Sequence, residues 1–365
     1  MKLSCNKNEL YKLVSLAERS TNKNPTLIAL SSILLRTGKN QLFIISTNLE
    51  VAFEGSLAAS VDEDGEILSP GKTLLSVLYA MPDEEVDLNS AGGNLKIVSK
   101  TSSVNLKCLN MEEFPTIPKI KKENHFQISY SSLIEALKNT IIATATNYTK
   151  PELASVYMFS QGKLPLTLVA TDSFRLAEQK TNITHPSLAL LLPQKTCQEV
   201  IRIFEDSGDD IDITFNKNQI LFQNKKISFL SRLTEGKFPE YQTIIPKSFD
   251  TQVFTDKNQI LNAVRAAGIF SSKLSEVTIA VDGDKGILGI KSSNAETGEY
   301  ESNYQTKISG ASVEANFNYH YLLEALQTIS NQKVFMGFNG PQKAVLIRGA
   351  DDAGYLHLVM PMRGN

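Results

Sequence analysis

The chain repeats itself, and no other feature restricts its fold so strongly. Pro70-Gly71-Lys72-Thr73 runs into Leu74, Leu75, Val77 and Leu78, while Pro193-Gln194-Lys195-Thr196 runs into Cys197, Val200 and Ile201. The two segments lie about 123 positions apart, far beyond a solenoid period, so whole domains are repeated. Both continue into acid-rich stretches, Pro82-Asp83-Glu84-Glu85 and Glu205-Asp206-Ser207-Gly208-Asp209-Asp210. A weaker third copy is Tyr321-Leu322-Leu323-Glu324-Ala325-Leu326. Phe114-Pro115, Phe238-Pro239 and Met360-Pro361 close successive thirds at similar spacing.

A helix is expected to open each third. Leu10, Leu13 and Val14, then Leu133, Ala136 and Leu137, then Ile260, Ala263 and Val264 keep the i, i+3, i+4 spacing of one apolar face. A chain of 365 residues suits two or three cores. The markers divide it into domains at 1–120, 121–247 and 248–365. Linkers fall near Pro118-Lys119-Ile120-Lys121-Lys122 and Pro246-Lys247-Ser248, where Pro and Lys replace the apolar pattern. Strand candidates are Gln41–Ile45, Val104–Leu109 and Leu166–Ala170, the second with strict alternation of apolar and polar residues. Each third therefore reads as helix, strands, helix, strands. The fold class is α+β, with two helices packed on antiparallel sheets in every repeat.

Composition excludes several classes. Hydrophobic residues at 42% and charged residues at 21% describe a globular chain, neither disordered nor fibrous. Lys plus Arg number 37 against 39 Asp plus Glu, a net charge of -2. A nucleic-acid partner would then need the cations gathered on one surface and offset elsewhere. Cys5, Cys108 and Cys197 stand far apart with no CxxC pair, which fits buried thiols in a reducing compartment. The first residues lack the apolar core of a signal peptide, and no apolar run approaches the ~18 residues of a membrane span. A cytoplasmic protein without a membrane partner is expected.

Chemical motifs are sparse. Gly71-Lys72-Thr73 looks like the end of a phosphate-binding loop, and a nucleotide-binding enzyme using it is the alternative reading. The pattern wants a further Gly at position 66, which is Glu66, and Gly65 is off by one. Its counterpart at Pro193 has no glycine, so a helix start approached by Pro fits both copies. His125, His185, His320 and His357 form no local metal motif, and neither a cofactor nor a catalytic nucleophile is expected. A recurring cation does stand out. Lys138 and Arg265 share one position in the first helices, with Lys12 and Arg19 flanking the equivalent Ser15. Lys72, Lys195 and His320 correspond in the second helices. Recurrence of the slot points to a shared surface that faces a polyanion.

Thr171-Asp172-Ser173-Phe174-Arg175-Leu176-Ala177, Phe238-Pro239-Glu240-Tyr241 and the closing Val359-Met360-Pro361-Met362-Arg363 resemble the bacterial sliding clamps, the beta subunits of DNA polymerase III. Asn24-Pro25-Thr26-Leu27 is similar to that family too, and the likeness spans the whole chain. It implies a ring-forming homodimer of three-domain protomers around duplex DNA, held without regard to sequence. It also implies a non-catalytic processivity factor whose partners are the polymerase III catalytic subunit, a clamp loader complex and other proteins with clamp-binding motifs. DNA-facing residues would be Lys12, Arg19, Lys23, Asn24, Lys72, Lys138, Lys195, Arg202 and Arg265.

The resemblance further implies a peptide pocket. Leu153, Thr171, Ser173, Phe174, Arg175 and Leu176 would come from the second domain. Pro239, Thr243, Ile244, Leu274, Asn318, Tyr321, Ala344, Leu358, Met360, Pro361, Met362 and Arg363 would come from the third domain and its approach. Ser173-Phe174 stands where the family often has Gly-His, and Asn24 where an arginine is often found. Val104, Ile269 and Phe270 would lie at the protomer interface.

Overall fold

The expected helices form, but a strand, Lys2–Asn6, Asn124–Ile128 or Thr251–Asp256, opens each third ahead of its first helix. In the computed structural model the helices are α1 (Lys7–Arg19), α2 (Gly71–Ala80), α3 (Tyr130–Ile141), α4 (Gln194–Phe204), α5 (Lys257–Ile269) and α6 (Tyr319–Thr328). The structure describes residues 1–23, 27–121, 124–147, 149–185, 187–205 and 207–362, so Asn24 and Arg363 lie outside the described residues. All three apolar triplets are buried. Helix starts follow one device: α1, α5 and α6 each grow directly from a strand whose last residue, Asn6, Asp256 or Asn318, caps the helix. Their side-chain oxygens accept from Glu9 N at 3.0 Å, Gln259 N at 2.9 Å and His320 N at 2.9 Å. The second helices α2 and α4 follow strands ending in Pro70 and Pro193, whose missing N–H stops the ladder where the helix begins.

Contacts divide the chain into two compact units, one of residues 1–130 and 202–233, the other of 131–201 and 234–365. The first holds a 12-stranded antiparallel sheet. Its main path runs from Ser103–Lys107 through Asn94–Val98, Glu85–Ala91 and Lys2–Asn6 to the long strand Val51–Glu63. The path continues through Ile227–Arg232, Gln219–Gln223 and Ile211–Phe215 to Asn124–Ile128. Helices α1 and α2 pack on each other, and α1 lies on Val51–Glu63 and Gln41–Thr47. The Ser103–Lys107 strand is shorter than the alternation suggests. Cys108 N turns to Gly93 O at 3.0 Å and Leu109 N to Leu68 O at 2.9 Å, which takes Leu109 to a different neighbour.

The second unit holds a nine-stranded and a four-stranded antiparallel sheet. The larger runs Ser187–Pro193, Ser155–Gln161, Pro165–Thr171, Arg175–Thr184, Tyr355–Val359, Val345–Gly349, Lys333–Phe338, Thr251–Asp256, Lys307–Gly310. The smaller runs Gly298–Gln305, Ile287–Asn294, Glu276–Asp282, Val313–Asn318. Helices α5 and α6 pack together, with α5 over three strands of the four-stranded sheet's path. Each unit thus takes strands from more than one sequence repeat. The middle repeat contributes to both, and the unit boundaries fall inside it rather than at the thirds.

Gly337, on the Lys333–Phe338 strand, is needed for close approach. A Cβ built there would lie 2.4 Å from the Phe249 ring, which packs edge-on to Phe335 at 5.3 Å between centroids. Gly337→Ala is expected to displace Phe249 and to cost about 1–3 kcal/mol, as overpacking does. Urea unfolding of the variant beside the parent protein measures this, and equal midpoints would contradict it.

Candidate functional site

A tight turn between Pro165–Thr171 and Arg175–Thr184 organises a site of the second unit. Asp172 Oδ1 accepts from Phe174 N and Arg175 N, both at 2.9 Å. Thr171 Oγ1 donates to Arg175 O at 2.7 Å and accepts from Ser173 N at 3.1 Å. Ser173 is held at φ 79°, a left-handed conformation that glycine adopts freely, and these side-chain bonds hold a serine there. Phe174, 62% exposed, projects from the tip.

The turn aims Arg175 inward, where it is nearly buried. Its Nε donates to Asp172 Oδ2 at 3.1 Å, its Nη1 pairs with Glu324 of α6, and its guanidinium lies 4.3 Å from the centre of the Tyr321 ring. A buried cation needs such partners, and here two carboxylates and an aromatic face supply them. The next residue, Leu176, sits opposite Leu358 in the ladder between Arg175–Thr184 and Tyr355–Val359.

A hollow of about 410 Å³ opens beside this turn. It is lined by Thr171, Ser173, Arg175, Leu176, Ile244, Pro246, Asn339, Gln342, Lys343, Ala344, Leu358 and Met360. A largely apolar concavity with a few placed polar groups suits an extended peptide side chain. Of the residues anticipated for a pocket, it gathers Thr171, Ser173, Arg175, Leu176, Ile244, Ala344, Leu358 and Met360. Tyr321 stands behind Arg175, and Phe174 O accepts from Met360 N at 2.8 Å. Met362 N donates to Asn316 O at 2.7 Å, which leads Pro361 and Met362 away along the Val313–Asn318 strand. Pro239 and Thr243 line a neighbouring hollow instead. Leu153 is buried, Leu274 is 61% exposed, and Asn318 is occupied as the cap of α6. Pro246, Asn339, Gln342 and Lys343 join the wall without having been anticipated. The last three sit in a turn, which has no period to betray them.

The anticipated cations divide between the units. In the first, Lys12 and Arg19 are exposed on α1, Lys72 on α2 and Arg202 near the end of α4, with Lys23 exposed beyond α1. In the second, Lys138, Lys195 and Arg265 are exposed on α3, α4 and α5. Ile269, 71% exposed, ends α5, and Phe270 stacks on Tyr300 at 6.4 Å. Val104 is half-buried on Ser103–Lys107, the strand at one end of the first unit's sheet path. Gly71 has a packing role: a Cβ there would meet Ser31 O at 3.2 Å and Ile33 at 3.3 Å, so the helix start lies close on its own domain. No helix among the described residues is long and apolar enough to cross a membrane.

Comparison with known proteins agrees over the full length. Models of the N-terminal, central and C-terminal domains of the DNA polymerase III beta subunit match residues 1–118, 127–240 and 242–363. The beta sliding clamp of Staphylococcus epidermidis is 26% identical over 357 residues, covering 94% of both chains. That of Staphylococcus aureus is 25% identical over 358 residues, again covering 94% of both. Among solved structures, a Pseudomonas aeruginosa sliding clamp bound to griselimycin superposes with a TM-score of 0.94 at 27% identity, covering 100% of each chain. The Bacillus subtilis clamp shares the fold, with a TM-score of 0.94 at 23% identity and 100% coverage of each.

Beneath the pocket, on the Tyr355–Val359 strand, His357 is fully buried with Tyr355 Oη 3.1 Å from its Nδ1. Burial first, and the charge of Arg175 second, push its pKa from 6.5 down to about 3. The unfolded chain takes up a proton as pH falls through about 6.5 while the folded chain does not. Stability is therefore undiminished by this residue above that pH and falls below it, by at most about 1.4 kcal/mol per unit until about pH 3. Urea unfolding should show His357→Gln losing about 2 kcal/mol less than the parent between pH 6.5 and 5. Parallel stability curves would place the titration elsewhere.

Proposed function

This chain belongs to the DNA polymerase III beta-subunit family, the bacterial sliding clamps, and from that membership we propose how its own residues do the work of a clamp. The chain is a DNA sliding clamp, a processivity factor for replication. It acts in the bacterial cytoplasm, without catalysis, as three clamp domains at about 1–120, 121–247 and 248–365. Two protomers close head to tail into a ring around duplex DNA, a heterologous contact that closes only when its rotation allows. Ile269 and Phe270 of one protomer meet the partner near its Ser103–Lys107 edge, where Val104 lies.

One observation carries the DNA reading: exposed cations recur at matching helix positions in successive repeats of a chain whose net charge is -2. Lys12, Arg19, Lys23, Lys72, Lys138, Lys195, Arg202 and Arg265 touch phosphates without reading bases. The hollow at Arg175 and Leu176 takes clamp-binding peptides of the polymerase III catalytic subunit, the clamp loader and other DNA-processing proteins. Met360, 41% exposed, gives that pocket an adaptable thioether wall suited to several partners.

Protein loaded on circular DNA should stay bound through gel filtration and be lost when the circle is cut, because only a topological link depends on closure. Changing Lys12, Lys138, Lys195 and Arg265 together to Glu should weaken loading on every sequence alike and flatten its salt dependence. Loading equal to the parent's would sink the assignment of these residues. Met360→Ala should cost about 1–2 kcal/mol of affinity for a polymerase-derived clamp-binding peptide, with an unchanged melting temperature. Equal peptide affinity would place the pocket elsewhere.

A further inference from the structure

A second hollow, of about 380 Å³, lies in the same unit as the pocket. Thr243 lines it and the next residue, Ile244, lines the pocket, so the segment from Pro239 to Ile244 is a ridge with a hollow on either flank. The ridge is firmly seated: Tyr241 is buried and donates its hydroxyl to Glu178 Oε2 at 2.5 Å. On the far flank the Ser155–Gln161 strand presents Tyr157 and Phe159. Tyr157 stacks on Phe159 with centroids 5.0 Å apart at 12°, and on Phe238 at 5.0 Å and 14°. Three near-parallel rings thus form an aromatic wall, with Tyr157 and Phe159 only half-buried. Opposite Phe159 in the ladder stands Ala189, small and exposed, whose size leaves the space open.

We propose that this hollow takes an aromatic side chain from the same partner segment that fills the pocket, carried across the Pro239–Ile244 ridge. The proposal rests on the pocket being the peptide site. The chemistry selects the occupant. Flat rings offer offset or edge-on contact at centroid distances of about 4.5–7 Å, as Tyr241 already shows at 6.2 Å from Phe159 and 6.0 Å from Phe238, and a further ring satisfies it best. At the rim Lys237 and Glu240 pair with each other at 3.3 Å, so a charged ligand finds no unmatched counter-charge between them. Size selects the source. One hollow of this volume is far smaller than the face a stable complex buries, so a separate partner would have little to hold. A side chain tethered to a peptide already in the pocket arrives at high effective concentration, and a modest contact then counts.

Fluorescence polarisation tests this with two labelled peptides. One carries only the clamp-binding segment of a polymerase III catalytic subunit, and the other extends it at both ends with flexible residues, each arm ending in a tryptophan. The extended peptide should bind the parent protein about tenfold more tightly. Ala189→Glu, which fills the hollow from an exposed strand position, should remove that gain and leave the short peptide's affinity unchanged. Replacing both tryptophans by serine should remove it as well, with no change to the protein. A gain that survives Ala189→Glu, or no gain at all, overturns the proposal. A short peptide that fails to bind the parent overturns the pocket reading and this proposal with it.

Discussion

Antiparallel pairing between strands of different sequence repeats is the contact on which each unit depends. In the first unit Val51–Glu63 pairs with Ile227–Arg232, from Ile227 opposite Gly55 to Ser231 opposite Val51. In the second, Arg175–Thr184 pairs with Tyr355–Val359, from Arg175 opposite Val359 to Gln179 opposite Tyr355. Both joints link residues far apart in sequence; Ser56 and Lys226, for instance, meet across 170 positions. Such closure is entropically demanding and slow, and it is rewarded only when the full ladder forms. Without it, each repeat would expose an open sheet edge. With it, the cores of neighbouring repeats become one continuous unit.

The pocket is a by-product of the second joint. Register sets Leu176 opposite Leu358, and a slip of one residue would turn the leucine of the slipped strand to the other face. The turn before the joint fixes Arg175, and Arg175 in turn reaches α6 through Glu324 and Tyr321. A hairpin, a distant strand and a helix therefore share one buried cation. The site is stiff because moving any one of these elements would leave a charge without a partner.

How much of this was legible in the sequence follows from how local each signal is. The helices were, because Leu10, Leu13 and Val14 and their counterparts carry the 3.6-residue period within a single turn or two. Pro70 and Pro193 marked the second helices for the same reason. The joints between repeats were not, since strand pairing across 170 positions leaves no local mark on either strand. Alternation through Val104–Leu109 overran the strand because Leu109 keeps the pattern while serving a different neighbour, Leu68. Thr171, Arg175, Leu176 and Met360 were named through family likeness and line the hollow, whereas Asn339, Gln342 and Lys343 sit in a turn with no such motif. The aromatic wall of Tyr157, Phe159 and Phe238 escaped for another reason. Its rings stand on separate elements, and only the folded sheet brings them into register.

The way Arg175 is matched sets how the molecule answers to its ionic surroundings. A guanidinium already balanced by Asp172, Glu324 and the Tyr321 ring projects little field into the pocket beside it. It stands there as a wall rather than as a free charge, and the exposed charge on the lining is that of Lys343. Mobile ions screen exposed charges far more than buried, paired ones. The exposed cations on the helices stand in water, where any charge contact they make follows salt closely. A shift in ionic strength is thus felt first by the exposed helix cations and far less by the buried, paired Arg175.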